Sequence, residues 1–428
     1  MTSKIVVNNI ESDSGINTVT IIGDVSVGSS ITATDITAIH HGSGADLTNL
    51  PAANLTGTLP ALDGSALTGV GASFGNSSVN TSGIITATAF VSDTPLSHRN
   101  IIINGAMNIA QRGTSFAAPA DGYTLDRWSV YENLSTGQVA VTQETVTDLI
   151  GFTKAAKINT TTADAGVASA SGTQYATYIQ PIETSNLLHI GNGTSAAKPL
   201  TFSFYVKSNV TGTFCVTFYK QDNTARLVSL PYTINSANTW ERKTLSIPAD
   251  TSGGGINDDN GQGIAVYFIL ARKTGYSGTT STSWINYTNT GWAPTCTATI
   301  FENVNDHMFI TGCQLEVGSV ATPFEHRSFG EELSRCQRYC VVDIAEKYWY
   351  NGHGGNVRDY SYYSWPTTMR AAPTITFGTP ITETLLNTSG GAGHQARKIT
   401  TSSWQYGPRA SQTGNAYGEI PYTADAEL

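Results

Sequence analysis

The stretch Leu200-Thr201-Phe202-Ser203-Phe204-Tyr205-Val206-Lys207-Ser208-Asn209-Val210-Thr211-Gly212-Thr213-Phe214-Cys215-Val216-Thr217-Phe218 holds two runs in which every second side chain is a large hydrophobe. Successive side chains of a β-strand point to opposite faces, so Phe202, Phe204 and Val206 share one face, as do Phe214, Val216 and Phe218. Residues Ser208 to Gly212 have turn composition, and the whole reads as a hairpin with one buried face. Further strands are expected over Trp240 to Ile247, Ile264 to Leu270 and Met308 to Val317, with Gly- and Asn-rich loops between them. Strands at this spacing, with almost no helical periodicity, predict a two-sheet sandwich of jelly-roll type over residues 99–330.

The composition of the 428 residues supports a mainly β chain. Only 13% are charged, about half the usual share. A hydrophobic share of 39% is too high for a disordered chain. The net charge of −9 is spread without long runs of either sign, which argues against nucleic-acid binding or an anionic membrane surface. No apolar run approaches the roughly 18 residues of a membrane span. Met1 to Gly15 lacks the apolar core of a signal peptide, so a soluble product made in a cytoplasm is expected. The five cysteines, Cys215, Cys296, Cys313, Cys336 and Cys340, are odd in number and lack CxxC spacing. They read as small apolar core residues rather than disulfides or zinc ligands.

Outward from the sandwich the two ends differ. Residues 1–99 contain two aromatic residues, Phe74 and Phe90, whereas residues 331–428 contain thirteen, so the ends should not share one core. The first segment repeats short units: Ser30-Ile31-Thr32-Ala33-Thr34 and Ile84-Ile85-Thr86-Ala87-Thr88, with Leu47-Thr48-Asn49-Leu50, Leu55-Thr56-Gly57-Thr58-Leu59 and Leu67-Thr68-Gly69-Val70 between. Each unit buries too little apolar area alone, and identical chains packed around an axis would supply the missing surface. Residues 25–98 therefore read as a slender trimeric shaft and residues 1–24 as an attachment segment. Past the sandwich, Ser328 and Glu331 have capping-box spacing, and Leu333, Cys336 and Cys340 fall on one face of a short helix. This helix leads into a small β tip domain over 331–428.

Two motifs at the edges of the sandwich carry a resemblance. Arg99-Asn100-Ile101-Ile102-Ile103-Asn104-Gly105-Ala106-Met107-Asn108-Ile109-Ala110-Gln111-Arg112-Gly113 with Tyr123-Thr124-Leu125-Asp126-Arg127-Trp128 opens it. Gln314-Leu315-Glu316-Val317-Gly318 and Ala321-Thr322-Pro323-Phe324-Glu325-His326-Arg327 close it. Together they resemble a β-sandwich module of tailed-bacteriophage tail-fibre proteins. The Leu-Thr-Gly and Ile-Thr-Ala-Thr units resemble phage fibre shafts, especially those of marine cyanophages. The resemblance implies a homotrimer in the virion, an N-terminal end on other tail proteins and a C-terminal end facing the host.

The candidate receptor-binding residues lie in the aromatic tip: Tyr348, Trp349, Tyr350, Asn351 and His353, then Asp359, Tyr360, Tyr362, Tyr363 and Trp365. Flat rings beside amides and carboxylates suit a surface glycan, and the same residues suit a protein receptor. Alternation predicts that about half of them are buried. Trp128 reads as a core plug rather than a sugar contact, with Asp126 and Arg127 paired to hold a loop. Asn257-Asp258-Asp259-Asn260-Gly261 lacks the ligand spacing of a Ca²⁺ loop and reads as a solvated turn. Of His40 and His41 only one could face a threefold axis, which makes a metal there unexpected.

Gly275-Tyr276-Ser277-Gly278 is one residue short of a nucleophile elbow, and neither H-E-x-x-H nor a Walker loop occurs. The expectation is thus a non-enzymatic adhesin with no cofactor, acting as a tail fibre on a host glycan or protein. Alternatives are a polysaccharide depolymerase or deacetylase spike, and a structural adaptor or collar fibre.

Overall fold

The computed structural model describes residues 97–119, 121–278, 282–386 and 393–428, all within Ala87–Leu428, the second of two units in the chain. The expected attachment segment, the shaft up to residue 96 and the His40-His41 pair lie outside the described residues.

The alternating runs build two antiparallel sheets. One orders its strands as β1 (Ser115–Ala117), β4 (Gln138–Thr145), β5 (Lys154–Thr162), β13 (His307–Val317), β7 (Leu200–Ser208) and β10 (Glu241–Ile247). The other runs β12 (Ile285–Asn286), β9 (Arg226–Ile234), β8 (Gly212–Lys220), β11 (Gln262–Arg272), β6 (Tyr175–Glu183), β3 (Ser129–Glu132) and β2 (Gly122–Tyr123). The chain is mainly β, as the sequence predicts. No helix among the described residues is long and apolar enough to cross a membrane.

The expected hairpin over Leu200 to Phe218 is not formed. β7 lies between β13 and β10, whereas β8 lies between β9 and β11 in the other sheet, so residues 209–211 carry the chain across the core as an arch. The reason is apolar area. Phe202 and Phe204 meet Phe268 at ring-centroid distances of 5.8 and 5.0 Å, and Phe202 meets Phe218 at 5.5 Å. A hairpin would set both apolar rows side by side on one sheet, still in need of cover; the arch lets each row cover the other. Each fully buried ring contributes about 1.5–3 kcal/mol. The hairpin in this region is β8 with β9, where Lys220 faces Arg226 and Gly212 faces Ile234.

The two edge motifs close on each other. Asn100 donates from Nδ2 to the Cys313 carbonyl at 3.0 Å and accepts at Oδ1 from the Leu315 N–H at 3.1 Å. Glu325 accepts from the Arg99 and Asn100 N–H groups at 3.0 and 2.9 Å. Gly105 passes so close to β13 that a Cβ would lie 2.1 Å from the Cys313 oxygen, so no larger residue fits. Trp128 is fully buried in the sandwich core, stacked on Tyr178 at 5.1 Å.

Asp126 and Arg127, expected to pair, do not. Asp126 accepts from the Gln111 N–H at 2.7 Å. Arg127 donates to the Pro181 carbonyl at 2.6 Å, ion-pairs with Glu427 and lies 3.6 Å from the centre of the Tyr339 ring. Its left-handed φ of 69° sends the two neighbouring side chains to different partners. All five cysteines are free and buried. The loop at 257–261 is an exposed turn, closed locally by the Gly261 N–H donating to Asp259 at 2.7 Å. It is also tied to distant segments: Asp259 accepts from the Thr184 hydroxyl at 3.0 Å and Asn260 donates to the Arg370 carbonyl at 2.7 Å.

The helix after the sandwich, α2, spans Phe329–Gln337, following the one-turn α1 (Asn289–Trp292). Ser328 caps α2 by accepting from the Glu331 N–H at 3.2 Å, and the Glu331 carboxylate pairs with Arg335 at 3.0 Å. Cys336 is buried, but Cys340 does not continue its helical face; it opens strand β14 (Cys340–Asn351). Pairing with the last strand of the chain wins over a further turn, because the two strands match over twelve positions.

Buried charge fastens this end to the sandwich. Arg338 Nε and the Tyr339 hydroxyl donate to Glu183 at 2.9 and 2.6 Å. Burial pushes the Glu183 carboxyl up, but these hydrogen bonds outweigh it and hold the group below its ordinary value. Arg112 reaches Asp425 at 3.0 Å and Glu427 at 3.2 Å.

Glu132, at the end of β3, is pushed up to about 7, first by burial and then by Asp121, against a hydrogen bond from the Val139 backbone. One of its carboxylate oxygens is buried with no hydrogen-bond partner among the described residues. From the ordinary value of 4.5 up to about 7, the folded chain therefore holds a proton that the unfolded chain releases, so stability falls as pH rises through that window. Glu132→Gln should abolish this slope and, after allowance for solvent screening, stabilise the protein above neutral pH by about 1 kcal/mol. Denaturant titrations of both proteins across this pH range check it.

Candidate functional site

The terminal segment folds as two small sheets around one core. β14 pairs along its length with β20 (Gly414–Asp425), which β16 (Thr374–Phe377) and β17 (Thr382–Thr384) flank on the other side. β15 (Ser361–Ser364), β19 (Ser403–Tyr406) and β18 (Ala396–Arg397) make the second sheet. Between them Trp365 stacks on Trp404 at 5.8 Å, and Trp404 meets Tyr422 at 4.8 Å.

Alternation along β14 and β20 sorts the tip residues. Ala345, Trp349 and Asn351 point inward, while Ile344, Glu346, Tyr348 and Tyr350 point out. Tyr348 is 64% and Tyr350 69% exposed. Across from them on β20, Tyr417 faces Tyr348, Glu419 faces Glu346 and Pro421 faces Ile344. The outward side of this sheet thus holds three tyrosines and two carboxylates in adjacent rows. The Tyr417 hydroxyl donates to Glu419 at 3.0 Å.

β14 is an edge strand, and its free backbone is blocked at one point. The Glu346 N–H donates to the Tyr363 hydroxyl at 3.1 Å, and that hydroxyl donates to the Glu346 carbonyl. Glu346 and Glu419 are therefore a non-hydrogen-bonded pair, the closer kind, with Cα atoms about 4.5 Å apart. A blocked edge also resists pairing with a second sheet, leaving the face rather than the edge for contacts.

The other expected site residues are dispersed. Trp349 is buried against Ala410 and Ala416, and Trp365 lies in the tip core. Asn351 is buried and donates to the Gln412 carbonyl at 2.8 Å. These three offer no surface to a partner; they support the strands that carry their neighbours. His353 is exposed, and Asp359 pairs with Lys347 at 2.9 Å. Tyr360 lies beneath the Arg397 guanidinium at 3.3 Å. Tyr362 is 70% exposed on the second sheet, opposite Gln405, and turned away from the tip core.

Sequence reading missed Tyr417, Glu346 and Glu419. The signal was present as alternation in Asn415-Ala416-Tyr417-Gly418-Glu419-Ile420, but the strand it pairs with was not legible. It also missed an aromatic layer on the outer face of the seven-stranded sheet. There Tyr175, Tyr219 and Tyr267 surround Trp292 at 5.5, 5.7 and 4.8 Å. Burial pushes the Tyr267 hydroxyl up to about 12. The segment bearing Trp292 occupies that layer itself.

No family model matches this chain, and no curated protein does. Among solved structures, it is similar to a putative sugar binding protein from Bacteroides thetaiotaomicron at 15% identity and a TM-score of 0.31, over 51% of this chain and 100% of that one. It is similar to the enzymatically active domain of bacteriophage CBA120 tailspike protein 4 at 12% identity and a TM-score of 0.28, over 51% of this chain and 21% of that one. The alignment thus spans about a fifth of that tailspike chain. A third neighbour is the CBM22-2 xylan-binding domain from Paenibacillus barcinonensis, at 11% identity and a TM-score of 0.25, over 48% of this chain and 98% of that one.

Chemically, the outward tip face offers flat apolar rings next to hydrogen-bond acceptors. Such rings take the C–H patches of a sugar, and carboxylates accept from its hydroxyls. The exposed Glu346 beside Glu419 lies on an open sheet surface, which does not exclude water from a reacting bond.

Proposed function

We propose that this chain is an attachment fibre of a phage tail and that its tip binds a neutral or basic glycan on the host surface. The observation that carries the reading is the outward face of β14 and β20. Tyr348 and Tyr350 stand exposed on a domain whose core is already filled by other aromatic residues, so packing does not account for them. The edge motifs and shaft repeats support the fibre assignment, with three copies joined through the shaft and virion proteins at the N-terminal end. Three weak tip sites per fibre would raise avidity by about 10² to 10⁴ where geometry lets them engage together.

The double variant Tyr348→Ala/Tyr350→Ala is expected to adsorb to host cells at least about tenfold more weakly. Its melting temperature should be unchanged, since both side chains are mainly exposed. Unchanged adsorption overturns the placement of the site. Incubation of host polysaccharide with the purified protein, followed by sizing and acetyl analysis, separates a binder from a depolymerase or deacetylase.

A further inference from the structure

On the inward side of the same sheet, a cavity of about 420 Å³ is lined by Phe377, Pro380, Glu383, His394 and Ile420. Its one carboxylate is not a free surface group. His394 Nε2 lies 2.6 Å from Glu383 Oε1, and His394 Nδ1 lies 2.6 Å from the Tyr406 hydroxyl. An ionised carboxylate only accepts, so Nε2 carries the proton, and in the neutral ring Nδ1 accepts from Tyr406. Tyr406 is fully buried and the His394 side chain is 8% exposed, so the chain Tyr406–His394–Glu383 ties the carboxylate to the tip core.

We propose that this cavity binds a single neutral pyranose, as a site separate from the tyrosine face. A cavity of this size lies in the range of small-ligand sites. Phe377, Pro380 and Ile420 provide apolar walls for the C–H face of the ring. Among the described residues Glu383 Oε2 has no hydrogen-bond partner, which leaves it to accept from a pair of adjacent hydroxyls. Holding that carboxylate in place before binding removes most of the ordering cost that a free glutamate would add. An anionic ligand would be repelled by Glu383, and a purely apolar one would strip water from a carboxylate without replacing its hydrogen bonds.

The test uses the full chain with the methyl pyranosides of glucose, galactose, mannose and N-acetylglucosamine, followed by saturation-transfer NMR and calorimetry. At least one should bind with a Kd of about 1–10 mM. Glu383→Gln, which keeps the acceptor for His394, should weaken it several-fold, and Glu383→Ala about tenfold or more. Tyr348→Ala/Tyr350→Ala should leave this binding unchanged while it lowers cell adsorption, so failure here and failure of the attachment reading show up in different measurements. The proposal is overturned if none of the four binds at about 50 mM, if Glu383→Ala binds as the parent does with unchanged melting, or if methylammonium binds in their place.

Discussion

Trp128→Ala is expected to cost about 3–5 kcal/mol of folding stability, the range for an aromatic removed from a closed core. The indole is fully buried, stacks on Tyr178 at 5.1 Å with planes 10° apart, and lies 6.2 Å from Phe268. Its Nε1 donates to the Asn104 carbonyl at 3.2 Å, so truncation also removes a tie to the opening motif. Asn104 cannot readily adapt, because its own amide donates to the Ile109 and Asp126 carbonyls at 2.9 and 3.0 Å. Trp128→Phe should recover part of the loss, since it refills most of the volume but not the hydrogen bond. Equilibrium unfolding in denaturant measures both. Near-parental stability would instead mean that the core closes over the missing indole.

Glu427→Ala should cost about 3 kcal/mol or more, because it leaves two guanidinium groups in the interior without their shared carboxylate. The Glu427 side chain is 3% exposed, between Arg127 at 1% and Arg112 at 11%. Asp425 still faces Arg112, and the Pro181 carbonyl still faces Arg127, so the loss is one partner for each rather than all. The damage should be local. The backbone of residues 426–428 receives Arg370 at the Ala426 and Glu427 carbonyls and Tyr123 at the Leu428 carbonyl, all at 2.7 to 3.0 Å. Faster amide exchange at Asp425 and Ala426, with unchanged protection in β8 and β11, is the expected pattern. Uniform loss across the sandwich would mean that the pair supports the whole unit rather than the docking of the tip.

The arch between β7 and β8 shows where sequence reading stopped. Periodicity correctly placed Phe202, Phe204, Val206, Phe214, Val216 and Phe218 in the core. It could not say that the two strands belong to different sheets, because both arrangements show the same alternation. The helix had a similar limit: the Ser328 cap was readable, but its end was set by β14 pairing with residues some eighty positions later. Asp126 and Arg127 are adjacent and opposite in charge, yet a backbone φ of 69° and a carboxylate three hundred positions away decide where the arginine goes.

In residues 331–428, composition announced a concentration of aromatic residues and alternation announced that about half of them would be interior. That reading holds for Trp349 and Asn351 against Tyr348 and Tyr350. The sequence did not reveal that Tyr417 and Glu419 complete the outward face, or that Glu383, His394 and Tyr406 converge on one cavity.

What the sequence alone determined is the β character of the chain and the core-facing rows Phe202, Phe204, Val206 and Phe214, Val216, Phe218, because the two-residue period is a local property of an extended backbone. Tertiary structure decided which strands meet, which charges pair and which polar groups gather at a surface. Those outcomes depend on how much apolar area each arrangement covers, and on contacts between residues hundreds of positions apart.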